Sequence, residues 1–154
     1  MKYLKPGIVC LLVVSICSSV SAQKVIFPNQ TAAPQSRLFK DVPDRLPVIA
    51  SKLQPLLALK KGEFASISLT DKFIFKGTVV NSISKYNNAI QSTVIKSADY
   101  PETTLTISKV KKSDGSIVYR GRIISFQHGD CFELKNENGQ YTLVKRNFED
   151  MVND

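Results

Sequence analysis

Thr103-Thr-Leu-Thr-Ile-Ser-Lys-Val-Lys-Lys-Ser-Asp-Gly-Ser-Ile-Val-Tyr-Arg-Gly-Arg-Ile-Ile-Ser-Phe126 is the stretch whose reading decides the fold. Two runs rich in Thr, Ile and Val, 103–110 and 117–126, flank a polar Lys-Lys-Ser-Asp-Gly-Ser segment, which is the signature of a β-hairpin. A two-residue Asp-Gly loop would set Leu105 opposite Ile124 but Ile107 opposite Arg122. A three-residue loop, Ser113-Asp114-Gly115, sets Leu105 opposite Ile123 and Ile107 opposite Gly121. It also pairs Thr106 with Arg122 and Ser108 with Arg120, so that one face is apolar and the other polar. Face matching fixes register, and a glycine at the last loop position suits a bulged three-residue turn. The second register is the one expected.

The same period of two extends in both directions. Phe64, Ser66 and Ser68 alternate with Ala65, Ile67 and Leu69. Thr70-Asp71-Lys72 then reads as a turn into a second strand, 73–80. Further strands are expected at 92–96, 131–134 and 141–144, the last two joined through Asn136-Glu137-Asn138-Gly139. About seven short strands with polar turns predict a mainly β domain, either an antiparallel sandwich or a partly open barrel. Residues 146–152 suit a short closing helix or an extended tail. One N-terminal helix is expected within 45–60, where Val48, Ile49, Leu53, Leu56, Leu57 and Leu59 fall near a 3.6 period. Gly62 stops it, and Pro55 bends it or splits it in two.

Ahead of that lies an address. Lys2 and Lys5 precede an apolar run at 8–16, and Val20-Ser21-Ala22 supplies short residues for cleavage, the pattern of a secretory signal peptide over 1–22. The run is too short for a membrane span, which needs about 20 residues. Cleavage after Ala22 removes Lys2, Lys5, Cys10 and Cys17, leaving Cys131 as the only thiol. It predicts an exported protein, periplasmic or secreted. Residues 23–44 carry Pro28, Pro34 and Pro43 among small polar residues and are expected to lie extended or mobile, with Phe27, Leu38 and Phe39 available to pin them to a single domain over 45–154. The 154 residues, 43% hydrophobic and 22% charged, are those of an ordinary globular chain and exclude collagen-like and polytopic membrane classes.

Chemistry is sparse. His128 is the only histidine. With Asp130 and Cys131 it offers the residue types of nucleophilic catalysis, and a small hydrolase or thiol-dependent protein centred there is the alternative reading. Residues this close in sequence rarely meet in triad geometry, so a turn between strands is the expectation. Strand alternation puts Cys131 with Glu133 on the face opposite Phe132 and Leu134; were that face solvent, Cys131 could pair between chains. No spacing matches a structural metal site, and no phosphate loop, Gly-x-Ser-x-Gly elbow or His-Glu-x-x-His is present, so no metal or cofactor is expected. The formal charge is +8, and five of the 21 basic residues gather on one hairpin, Lys109, Lys111, Lys112, Arg120 and Arg122, with Asp114 the only acid between them. That pattern suits an anionic surface or polymer, and export points to the cell envelope rather than to intracellular nucleic acid.

The run Tyr119-Arg120-Gly121-Arg122-Ile123-Ile124, His128-Gly129-Asp130 and Tyr141-Thr142-Leu143-Val144-Lys145-Arg146 resembles small exported β-domain proteins of Gram-negative bacteria, a group defined by layout rather than by an activity. More faintly, it is similar to the β-rich domains that precede the catalytic unit of some secreted metallopeptidases. The resemblance spans about 62–150 and rests on strand-and-turn rhythm. It implies a stand-alone binding module, or an inhibitory module for a secreted peptidase, and carries no functional residue with it. The expectation is therefore an exported, non-enzymatic domain that binds a protein partner or an anionic envelope polymer.

Overall fold

Alternating burial along nearly every expected strand puts one face of a single sheet on the core. The computed structural model describes residues 37–71 and 73–147, all within one unit spanning 33–154. The expected signal peptide, residues 23–36 and the closing segment after Asn147 lie outside the described residues. Among the described residues eight strands form: β1 (Arg45–Val48), β2 (Phe64–Ser68), β3 (Ile74–Lys85), β4 (Ile90–Ser97), β5 (Thr103–Lys111), β6 (Ile117–Ser125), β7 (Asp130–Glu137) and β8 (Gln140–Asn147). They make one antiparallel sheet in the order β1-β8-β7-β6-β5-β4-β3-β2, curled into a half-barrel. Consecutive hairpins run from β2 to β8, and β1 adds to the outer side of β8. The partly open barrel is thus the right alternative; there is no second sheet among the described residues to make a sandwich.

The central hairpin has the expected register, with Leu105 opposite Ile123, Ile107 opposite Gly121, Thr106 opposite Arg122 and Ser108 opposite Arg120. Lys112 and Ser116 close the three-residue loop, Lys112 donating its N–H to the Ser116 carbonyl at 2.8 Å. Gly115 takes φ +83°, which a side chain would disfavour. The Asp114 carboxylate accepts the Ser116 N–H at 2.8 Å and its hydroxyl at 2.6 Å. Those bonds hold its pKa below the usual carboxylate value. At Gly121 the packing is close: a Cβ there would stand 2.6 Å from Ile107 Cδ1 and 3.1 Å from the Thr106 carbonyl oxygen, so the Ile107 side chain would have to move. In the last hairpin Glu137 pairs with Gln140, so the turn is only Asn138-Gly139, both at positive φ, as a two-residue primed turn needs.

The helical stretch expected within 45–60 is present only in shortened form, split at Pro55 as the sequence allowed. Residues 45–48 are a strand, because Leu46 and Val48 face the core while Arg45 and Pro47 face out. The remainder is two short 3-10 turns, Ala50–Lys52 and Pro55–Ala58, divided at Pro55 as its missing N–H demands. Leu53, Leu56 and Leu57 are buried by the segment, and its second turn packs against β4 and β5. The concave core joins these leucines to Ile67, Phe75, Val79, Ile95, Leu105, Ile107, Ile123, Phe132 and Leu143. Phe39 is fully buried and pins the described end of the N-terminal stretch. Its ring centroid lies 5.1 Å from Tyr100, 5.4 Å from Phe132 and 6.0 Å from Phe73, tilted or edge-on.

Candidate functional site

The register that builds the hairpin also divides its basic cluster. On β5 the odd residues face the concave side, where Leu105 and Ile107 are buried; Lys109 follows them and is only 8% exposed, with Gln91 and Tyr119 as its cross-strand neighbours. Lys111 has the same parity and is exposed at the rim, and Lys112 is exposed at the start of the turn. Arg120 and Arg122 lie on the convex face, both exposed. The five residues therefore do not make one patch; the strand pleat sends them to two sides of the sheet.

What the convex face assembles is different. Thr104, Thr106 and Ser108 on β5 are half-buried and lie between strands that carry Lys96 on β4 and Arg120 and Arg122 on β6. Ser92 on β4 shares a 2.8 Å hydrogen bond with Ser108 across the strands. The product is a strip of four hydroxyls with a lysine at one corner and two guanidiniums along one side. Lys96 meets Glu102 at 3.4 Å, an exposed contact that salt and solvent weaken. Arg122 stands opposite Glu133 on β7 in the ladder. Neither Arg120 nor Arg122 has an ion-pair partner within 4 Å among the described residues, Glu133 being turned toward Lys135 and Arg146, each at 3.5 Å. Two forked, permanently charged donors beside hydroxyls form a surface that can hold carboxylate, sulfate or phosphate groups.

The His128 cluster is built for folding. Asp130 is 3% exposed, and its Oδ2 accepts the N–H groups of Leu38 at 2.5 Å and Phe39 at 3.3 Å. That carboxylate therefore ties the N-terminal stretch to the barrel. His128 Nδ1 lies 3.0 Å from the hydroxyl of Ser125, itself fully buried, three residues back in the same turn. Gly129 bends the chain at φ +64°. Cys131 does fall on the face opposite Phe132, but it is fully buried. This corrects the solvent-facing option, and with it pairing between chains through this thiol. Burial is the main reason its pKa is pushed up to about 11; Glu133 adds to the rise while Arg122 and Arg146 oppose it. A thiol in that state is neutral at physiological pH and a poor nucleophile. No group of three His, Cys, Asp or Glu side chains is placed to hold a metal among the described residues.

A second cationic region escapes the sequence. Arg37, Arg45, Lys145 and Arg146 line a groove of about 410 Å³ beside β1 and β8. Its charges are already engaged: Arg37 with the Asn147 side chain at 3.1 Å, Arg45 with Glu137, Lys145 with Asp44 at 3.2 Å and with the Val42 carbonyl at 2.8 Å, and Arg146 with Glu133. The residues come together from 37–45 and 145–146, neighbours through the pairing of β1 with β8 and the bond from Arg37 to Asn147.

No family model, curated protein or solved structure matches the chain, so the functional reading rests on the geometry of these surfaces.

Proposed function

We propose that the chain is an exported, non-enzymatic binding domain that holds an anionic polymer of the cell envelope on the convex face of β4–β6. The observation that carries this reading is the pair of exposed guanidiniums, Arg120 and Arg122, left without ion pairs among the described residues beside the Ser92, Thr104, Thr106 and Ser108 hydroxyls. Repeated negative groups along a polymer match charges repeated along a strand, about 6.8 Å apart for residues i and i+2. The hydroxyls add neutral hydrogen bonds, and a strongly basic chain raises the encounter rate at low salt.

Dextran sulfate serves as the probe. Replacing both arginines, Arg120→Glu with Arg122→Glu, weakens its binding at least tenfold at 50 mM salt, and rising salt releases the wild-type complex. The control reverses two charges at the hairpin tip, Lys111→Glu with Lys112→Glu, and leaves most of the affinity. Equal losses in the two double variants would mean attraction to net charge alone and would overturn the assignment of the site.

A further inference from the structure

The two ends of the half-barrel sheet are not alike. On β1 the Lys145 N–H reaches the Asp44 carbonyl at 2.7 Å, so residues 44, 46 and 48 point their backbone groups at β8, and 45 and 47 point theirs outward. This edge is blunted: Pro47 has no N–H to offer, and Arg45 brings a charge. On β2 the Val79 N–H reaches the Glu63 carbonyl at 2.9 Å, so 63, 65 and 67 face β3. Phe64, Ser66 and Ser68 therefore turn three N–H and three C=O groups outward, with no strand beside them among the described residues. This edge, Phe-Ala-Ser-Ile-Ser, contains no proline and no charge. Its convex side adds Phe64, 62% exposed, and Ile74 on the adjoining β3, 48% exposed.

We infer that β2 pairs antiparallel with β2 of a second copy of this chain, around a twofold axis through Ser66. The register follows from the hydrogen-bonding pattern. Ser66 meets Ser66 of the second copy, and Phe64 meets Ser68, so that all six outward N–H groups find carbonyls. The contact is self-complementary in its side chains as well. Ser68 lies between Phe64 of the second copy and Ile74 of its own chain. Its small side chain lets the two exposed apolar groups approach over it on both sides of the axis. A closed twofold pairing satisfies both open edges at once and leaves no further edge for growth, since β1 is blunted.

The test is sedimentation equilibrium of the purified chain together with cross-linking. A dimer is expected, and Ser66→Pro is expected to shift it to monomer while retaining its β circular dichroism, because that N–H points away from β3. Register is read separately by oxidising single variants. Across a hydrogen-bonded antiparallel pair the Cα atoms stand about 5.5 Å apart, within disulfide reach, so Ser66→Cys gives a covalent dimer through position 66. Ser68→Cys places its two thiols about 14 Å apart by strand geometry and does not. A wild-type chain that stays monomeric at 100 μM overturns the inference, whether or not β2 accepts an unrelated extended peptide. Cross-linking at position 68 as fast as at 66 overturns it too. Binding of dextran sulfate by monomeric Ser66→Pro separates this result from the reading of the convex face.

Discussion

The β5–β6 hairpin and the segment 37–48 are both decided by hydrogen bonds, but the hairpin's partners lie within about 20 residues and the segment's lie about 90–110 away. In the hairpin, a polar loop and two faces admit only one register that keeps Ile107 away from Arg122. The segment holds no such internal constraint. Leu38 and Phe39 take their shape from Asp130, and Arg45–Val48 become a strand because β8 offers an unpaired edge. Local pattern sufficed where the partner was next in the chain and failed where it was not.

The strongest way to break this comparison is to remove what holds the distant contact. Phe39→Ala empties a fully buried site among Phe73, Tyr100 and Phe132 and should cost about 3–5 kcal/mol in urea unfolding. A loss no larger than that of an exposed aromatic would show that the segment does not pin the fold. Asp130→Ala leaves the Leu38 and Phe39 amides without their acceptor and should cost about 1–3 kcal/mol. It should also speed hydrogen exchange at those two amides while the β5–β6 amides stay protected. Gly115→Ala strains a positive-φ position in the hairpin and should cost about 1 kcal/mol, with register intact. A shift of cross-strand contacts to the two-residue register would contradict the role given to that loop.

The smallest effect is a pH dependence. Burial raises the Cys131 pKa from its ordinary value of 9.0 to about 11, so the folded state holds this proton more tightly than the unfolded one. The resulting contribution is complete below about pH 9 and is lost as pH rises through about 11. Cys131→Ser should flatten that part of the stability profile. Iodoacetamide at pH 8 should label the wild-type thiol slowly until urea unfolds the chain. Rapid native labelling would place the thiol in a different environment.

Seven of the eight strands and the central register were legible because alternation is a local property and each turn carries its own glycine, asparagine or aspartate; the choice of a half-barrel over a sandwich was not, because it depends on how the whole sheet curls. Strand β1 was not, since the leucines after it share a helical spacing and Pro47 argues against any strand but an edge. The candidate site was half legible. The register that paired Ser108 with Arg120 already put Lys109 on the other face, so the cluster of five basic residues divides along a line present in the sequence. The hydroxyl strip was legible only in part: Ser92 and Lys96 join it through the pairing of β4 with β5, which no turn motif announces.

The claim most open to direct contradiction is that Arg120 and Arg122, not the groove of Arg37 and Arg45, receive the anion. Side-chain Nε–H signals of the arginines, followed by NMR during titration with dextran sulfate, separate the two surfaces in one experiment. The account predicts early, salt-reversible shifts at Arg120 and Arg122, with Arg37 and Arg45 held by Asn147 and Glu137 and moving little. Leading shifts at Arg37 and Arg45, with Arg120 and Arg122 unmoved, would contradict it.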